Sequence, residues 1–134
     1  MPAAAALAVA QKNAECAGKI RFLESDLMAN PELPARFQMI VANLPYISTG
    51  QLETLPREVR REPRGALDGG ADGLDLVRRL VAESAGRARW LLLELGDGQA
   101  GETKTLCLRA GYAFNRSPAG LHAPRENSHR QKCR

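Results

Sequence analysis

Met39-Ile40-Val41-Ala42-Asn43-Leu44-Pro45-Tyr46 is the stretch on which the fold turns. Its apolar run, Met39 to Ala42, reads as a short buried strand that reaches back to Phe37, so residues 43–46 stand at that strand's carboxyl end. In open α/β sheets, ligands bind in the crevice outside those ends. Upstream, Ala3–Ala17 is rich in helix formers, with Leu7, Ala10 and Ala14 on one stripe and Gly18 as a stop. Lys19-Ile20-Arg21-Phe22-Leu23 alternates as a short strand does, and Asn30-Pro31 and Leu33-Pro34 mark a loop. Downstream, a long connection over 48–72 suits a partly helical surface lobe. A helix capped by Asp72 and running to about Ala85 follows, with Leu74, Val77, Leu80 and Val81 inward. Trp90–Leu95 reads as a strand, Gln99–Arg109 as a helix stopped by Gly111, and Tyr112-Ala113-Phe114 as a weak final strand. This alternation predicts an α/β fold.

The chain has 134 residues, enough for one domain with a real core. No apolar run approaches the ~20 residues of a membrane-spanning helix. Pro2–Ala10 lacks a basic leader, which argues against a signal peptide. Cys16, Cys107 and Cys133 are odd in number and far apart, with no Cys-x-x-Cys, so neither a metal site nor a disulfide framework is expected and a cytoplasmic setting fits. The net charge of +4 resides wholly in residues 116–134, where five basic residues face one acidic one. That tail shows no hydrophobic period, so 1–115 is expected to be the domain and 116–134 a disordered, solvated extension. His122 and His129 lie within it, remote from any carboxylate cluster. Glu94, at a strand end, reads equally as a pocket residue and as an ordinary loop-facing acid.

The chemistry of residues 43–46 follows from their types. An amide or aromatic –NH2 is a poor nucleophile because its lone pair is delocalised. The Asn43 side-chain oxygen and the Leu44 carbonyl can each accept one of its N–H bonds, which positions the group and favours positive charge growing on nitrogen. Pro45 fixes its own φ and holds Leu44 extended. Tyr46 offers a ring face for a planar group. As a bare tetrapeptide, Asn-x-Pro-Tyr also reads as a simple turn. Gly69-Gly70 and Gly96-x-Gly98 lack the Gly-x-Gly-x-x-Gly context of a phosphate loop and read as turn and helix-start glycines.

Asn43-Leu44-Pro45-Tyr46 resembles the Asn/Asp-Pro-Pro-Tyr signature of amino-methyltransferases. The run Glu62-Pro63-x-x-Ala66-Leu67-x-Gly69-Gly70, the stretch Leu91–Gly96 with Gln99, and Ala110-Gly111-Tyr112 are similar to the release-factor glutamine methyltransferases of the HemK/PrmC type. The resemblance spans roughly 5–114 and corresponds to the C-terminal part of that family's catalytic domain. It implies a Rossmann-like enzyme that transfers methyl from S-adenosylmethionine to the glutamine of the Gly-Gly-Gln loop in peptide chain release factors. By position it implies Asn43, Pro45 and Tyr46 as catalytic residues, Asn43, Leu44, Pro45 and Tyr46 as substrate-binding, and Asp26, Leu27 and Asn43 as cofactor-binding. Leu44 replaces the usual first proline and matches ribosomal-RNA adenine dimethyltransferases. The Glu-Pro-x-x-Ala-Leu-x-Gly-Gly run sides with glutamine against adenine and against a nucleic-acid partner.

No Asp-x-Gly-x-Gly cofactor loop occurs in the sequence. The family's sheet runs 3-2-1-4-5-7-6, and the chain is expected to supply strands 3, 4, 5 and a weak 6, an incomplete sheet lacking strands 1 and 2. The closing strand 7 has no apolar alternation to mark it. The chain is therefore expected to be inactive by itself, or completed by a separate N-terminal half. The alternatives are an adenine-N6 methyltransferase and a non-enzymatic remnant that binds release factor.

Overall fold

The computed structural model describes residues 3–14, 19–115 and 129–133, which fall into two compact units, 1–34 and 35–134. In the first unit, α1 (Ala3–Asn13) forms where alanine dominates, the residue with the lowest cost in a helix. Residues 15–18, the rest of the expected helix, lie outside the described residues together with Cys16. Residues 19–23 do not form the expected strand. Alternation specifies a two-faced segment, but a strand also requires a partner's backbone, and none among the described residues supplies it.

In the second unit the elements run β1 (Phe37–Asn43), α2 (Asp75–Ser84), β2 (Ala88–Leu95), α3 (Ala100–Arg109), β3 (Phe114–Asn115) and β4 (His129–Cys133). The connection from β1 to α2 carries three short 3-10 helices, Thr49–Thr54, Val59–Arg61 and Arg64–Ala66, matching the partly helical lobe expected there. β1 and β2 are parallel, with Met39 beside Trp90, Val41 beside Leu92 and Asn43 beside Glu94. The sheet order is β1-β2-β4-β3, β4 lying antiparallel to both neighbours.

β4 corrects the expectation of an irregular tail over its own five residues; 116–128 and 134 lie outside the described residues. The physical reason is that β2's second edge presents a row of backbone N–H and C=O groups. An antiparallel segment satisfies them whatever its side-chain pattern, so no apolar alternation was needed.

The sheet's two faces differ. Leu91, Leu93 and Leu95 are buried, as are Val77, Leu80 and Val81 on α2 and Cys107 on α3. The four inward positions expected for α2 (Leu74, Val77, Leu80, Val81) are all at most 3% exposed. Tyr112 is buried too, its hydroxyl donating to the Ser84 carbonyl at 2.8 Å, which ties the end of α2 to the start of the last hairpin. The opposite face is open along β1, where Met39 is 50% and Val41 71% exposed, and half-buried along β2 at Trp90, Leu92 and Glu94. Parallel sheets are normally covered on both faces. Among the described residues, β1 also pairs along one edge only.

α2 begins at Asp75 with Leu74 at its N-cap and no side-chain cap, which corrects the expectation of Asp72 as the cap. Asp72 instead accepts the Leu74 N–H at 3.0 Å in the turn just before the helix, short of the orphan donors of its first turn. Arg78 gathers Asp72, Asp75 (3.1 Å) and Glu102 (2.5 Å), linking α2 to α3. The Arg78 hydrogen bond, then the Leu74 N–H, lower the Asp72 pKa from 3.8 to about 2. A depressed folded-state pKa stabilises above the unfolded value and is lost as pH falls through the folded one. The stability difference between wild type and Asp72→Asn is therefore expected to hold above about pH 4 and to shrink towards pH 2, read by urea denaturation at each pH.

Candidate functional site

β1 ends at Asn43, and the chain leaves the sheet through Leu44-Pro45-Tyr46. The exit is held on its far side by the segment 67–70. The Ile47 N–H donates to the Leu67 carbonyl at 3.1 Å, the Gly69 N–H to the Ile47 carbonyl at 2.8 Å, and the Thr49 N–H to the Gly70 carbonyl at 2.8 Å. Ile47 and Asp68 thus run side by side in parallel. Asp68 braces this pairing by accepting from the Thr49 hydroxyl at 2.7 Å, the Gly70 N–H at 3.1 Å and Arg64 at 3.2 Å. The Thr49 bond, followed by the Gly70 N–H, lowers its pKa and keeps it a carboxylate.

The glycines of this segment are required by close approach. A Cβ on Gly69 would lie 2.6 Å from the Pro45 carbonyl oxygen and 2.7 Å from that of Gly73. Gly73, at φ +80, would drive a Cβ against the Tyr46 carbonyl and to 2.5 Å from Gln99 Nε2. The sequence marks Gly69 only as a turn residue and gives Gly73 no role of its own; the bareness of both is what lets the backbone segments converge on the loop.

Gln99 closes the arrangement. Its Nε2 donates to the carbonyls of Tyr46 (2.9 Å), Gly73 (3.2 Å) and Asp72 (3.4 Å), and its Oε1 accepts the Gly96 N–H at 2.9 Å. One donor and three acceptors around the amide fix which way it faces. A Cβ on Gly96 would come 3.1 Å from Tyr46 Cδ2, so the tyrosine ring rests close to that bare backbone. Sequence reasoning placed Gln99 at a helix start without a role. No periodicity signals a side chain that works through carbonyls 26 to 53 residues away.

Against this fixed frame, two neighbouring acceptors stand apart. The Asn43 side chain and the Leu44 carbonyl make no hydrogen bond to other described residues. Asn43 is exposed at the carboxyl end of β1, on the open face, beside Glu94 of β2. Asn43, Leu44, Pro45 and Tyr46 are therefore brought together on one loop, with Glu94 as a neighbour. Among the described residues no three His, Cys, Asp or Glu side chains group as metal ligands, and no helix is long and apolar enough to cross a membrane.

No protein-family profile matches the chain. The release factor glutamine methyltransferase of Geobacter sulfurreducens is 46% identical over 112 residues, 80% of this chain and 39% of that protein. That of Moorella thermoacetica is 41% identical over 128 residues, 91% of this chain and 45% of its own length. The chain belongs to the release factor glutamine methyltransferase family. A ribosomal protein uL3 glutamine methyltransferase of Burkholderia pseudomallei is also similar, 41% identical over 110 residues. The chain spans less than half the length of these relatives.

Asp26 and Leu27, the other positions singled out by the family resemblance, belong to the first unit. They sit in a tight turn in which the Ser25 hydroxyl donates to the Leu27 carbonyl at 2.8 Å and the Ala29 N–H to the Asp26 carbonyl at 3.1 Å. Asn30 locks the turn, its N–H donating to Ser25 Oγ at 3.1 Å and its Nδ2 to the Glu24 carbonyl at 2.7 Å. Leu27 takes φ +51, a left-handed conformation rarely adopted by a branched side chain. Such strain persists only where surrounding contacts over-determine it.

Proposed function

We propose that this chain is the acceptor-gripping portion of an S-adenosylmethionine-dependent protein-glutamine methyltransferase, an incomplete Rossmann-like domain directed at the Gly-Gly-Gln glutamine of a peptide chain release factor. The observation that carries this reading is the pair of adjacent acceptors, Asn43 Oδ1 and the Leu44 carbonyl, without partners among the described residues on a loop whose next backbone groups are engaged. A primary amide presents two N–H donors to such a pair. Tyr46, its carbonyl held by Gln99, offers the ring for the amide plane. The names of the relatives favour glutamine over adenine as the acceptor.

The residues present fit the acceptor side of methyl transfer and do not by themselves form a cradle for S-adenosylmethionine. The sequence holds no Asp-x-Gly-x-Gly, and the Asp26 and Leu27 carbonyls are turned into their own loop. The remaining length of the relatives is the source proposed for that cradle. The open edge of β1 and its exposed Met39 and Val41 support a strand added there.

The test mixes this chain with the unmatched N-terminal portion of the Geobacter relative, isotopically labelled S-adenosylmethionine and a release factor. One methyl group on the Gly-Gly-Gln glutamine, located by mass spectrometry, is expected, with uL3 assayed in parallel as a second protein substrate. Transfer to ribosomal-RNA adenine, or none to protein, would overturn the reading. Calorimetry of the chain by itself with S-adenosylmethionine is expected to register no measurable heat; micromolar affinity would sink the claim that the cradle lies elsewhere.

A further inference from the structure

The lobe after the gripping loop encloses a cleft of about 570 Å³ to which Arg57, Arg60, Arg61 and Arg64 contribute. Arg64 is held by Asp68 at 3.2 Å, whereas Arg57, Arg60 and Arg61 make no ion pair or side-chain hydrogen bond with other described residues. Leu52, Leu55 and Leu67 supply apolar lining, Leu52 being only 7% exposed. Glu53 and Glu62 line it as well. The cleft adjoins the site directly, because Leu67 is also the residue whose carbonyl accepts the Ile47 N–H, next in the chain after Tyr46. Its walls are set by local backbone bonds, with the Arg60 N–H on the Pro56 carbonyl at 3.1 Å and the Glu62 N–H on Val59 at 3.0 Å.

We propose that this cleft binds an acidic, apolar-flanked segment of the protein whose glutamine the Asn43–Tyr46 loop holds, an inference that rests on the glutamine reading above. The three guanidiniums without partners among the described residues form planar forks suited to carboxylates. The two glutamates oppose a continuous polyanion such as an RNA backbone. A peptide can place an isolated carboxylate on an arginine while its neighbouring apolar residues meet the leucines. Charge and lining together favour peptide over nucleic acid.

The test uses fluorescence anisotropy with a labelled, glutamine-free peptide alternating Glu and Leu, its Lys and Leu counterpart, and a single-stranded oligoribonucleotide. Without glutamine in the probe, failure of the cleft and failure of the glutamine grip are separate results. The acidic peptide is expected to bind best at low ionic strength, weaken with salt, and lose about tenfold in affinity to Arg60→Glu/Arg61→Glu, about the sum expected for reversing two exposed charges. Equal binding of the lysine peptide, tighter binding of the RNA, or an unchanged affinity in the double variant overturns the proposal. Should circular dichroism find that variant unfolded, Arg57→Ala decides: weaker binding of the acidic peptide supports the cleft, and unchanged binding overturns it.

Discussion

Asn43→Ala, assayed with a complementing N-terminal portion, is expected to lower methyl transfer to the release-factor glutamine by roughly 10²–10³-fold, the usual loss when one pre-positioned polar group facing a developing charge is removed. The thermal melting point should stay where it was, because Asn43 is exposed and its side chain bonds to no other described residue. Those two results together separate a role in gripping the acceptor from a role in folding. Turnover within threefold of wild type would remove Asn43 from the mechanism. Loss of turnover with a lowered melting point would make it structural.

Gly73→Ala is expected to cost roughly 2–5 kcal/mol of stability, combining the left-handed backbone penalty with overpacking. The glycine sits at φ +80, and its Cβ would be driven into the Tyr46 carbonyl and the Gln99 amide. Gly98 is the internal control. It has nearly the same φ, +82, with nothing within 4 Å of its Cβ position. Gly98→Ala should therefore cost only the backbone part, about 1–2 kcal/mol. Urea denaturation of the two variants reads the difference. Equal destabilisation would mean that the loop yields to the extra carbon and that Gln99 does not hold Tyr46 rigidly.

Much of the fold was legible because periodicity reports burial. β2 stood out as an apolar run and supplies three buried leucines, and the stripe of Leu74, Val77, Leu80 and Val81 became core. β1 is the strand expected, but the burial expected of it is not found, since its apolar run has no cover on the face of Met39 and Val41. Asp72 was readable as a residue that bonds nearby backbone, but the helix begins after Leu74 and Asp72 holds the preceding turn. Where partners decide, the sequence was silent or misleading. Residues 19–23 alternate without a strand, and 129–133 form one without alternating. The site shows the same division. Residues 43–46 were recognisable by type, whereas Gln99 acts through three distant carbonyls and Gly69 through the approach of Pro45. The spacing of charges in the lobe suited a partly helical surface, and only the packing of its 3-10 turns gathered the arginines round a cleft.

The reach of Gln99 has a consequence in folding time. Its bond to Tyr46 closes across 53 residues and that of Ile47 to Leu67 across 20, so both are non-local closures whose entropy must be met before they contribute. The helices form from local bonds, but the loop acquires its shape only after β1 and β2 have paired and α3 has begun. The gripping site is thus a late arrival during folding, and by the same reasoning an early casualty of partial opening. Hydrogen exchange at the Gly96 and Gly69 amides, which bond Gln99 and Ile47, would report that opening before the sheet itself lets go.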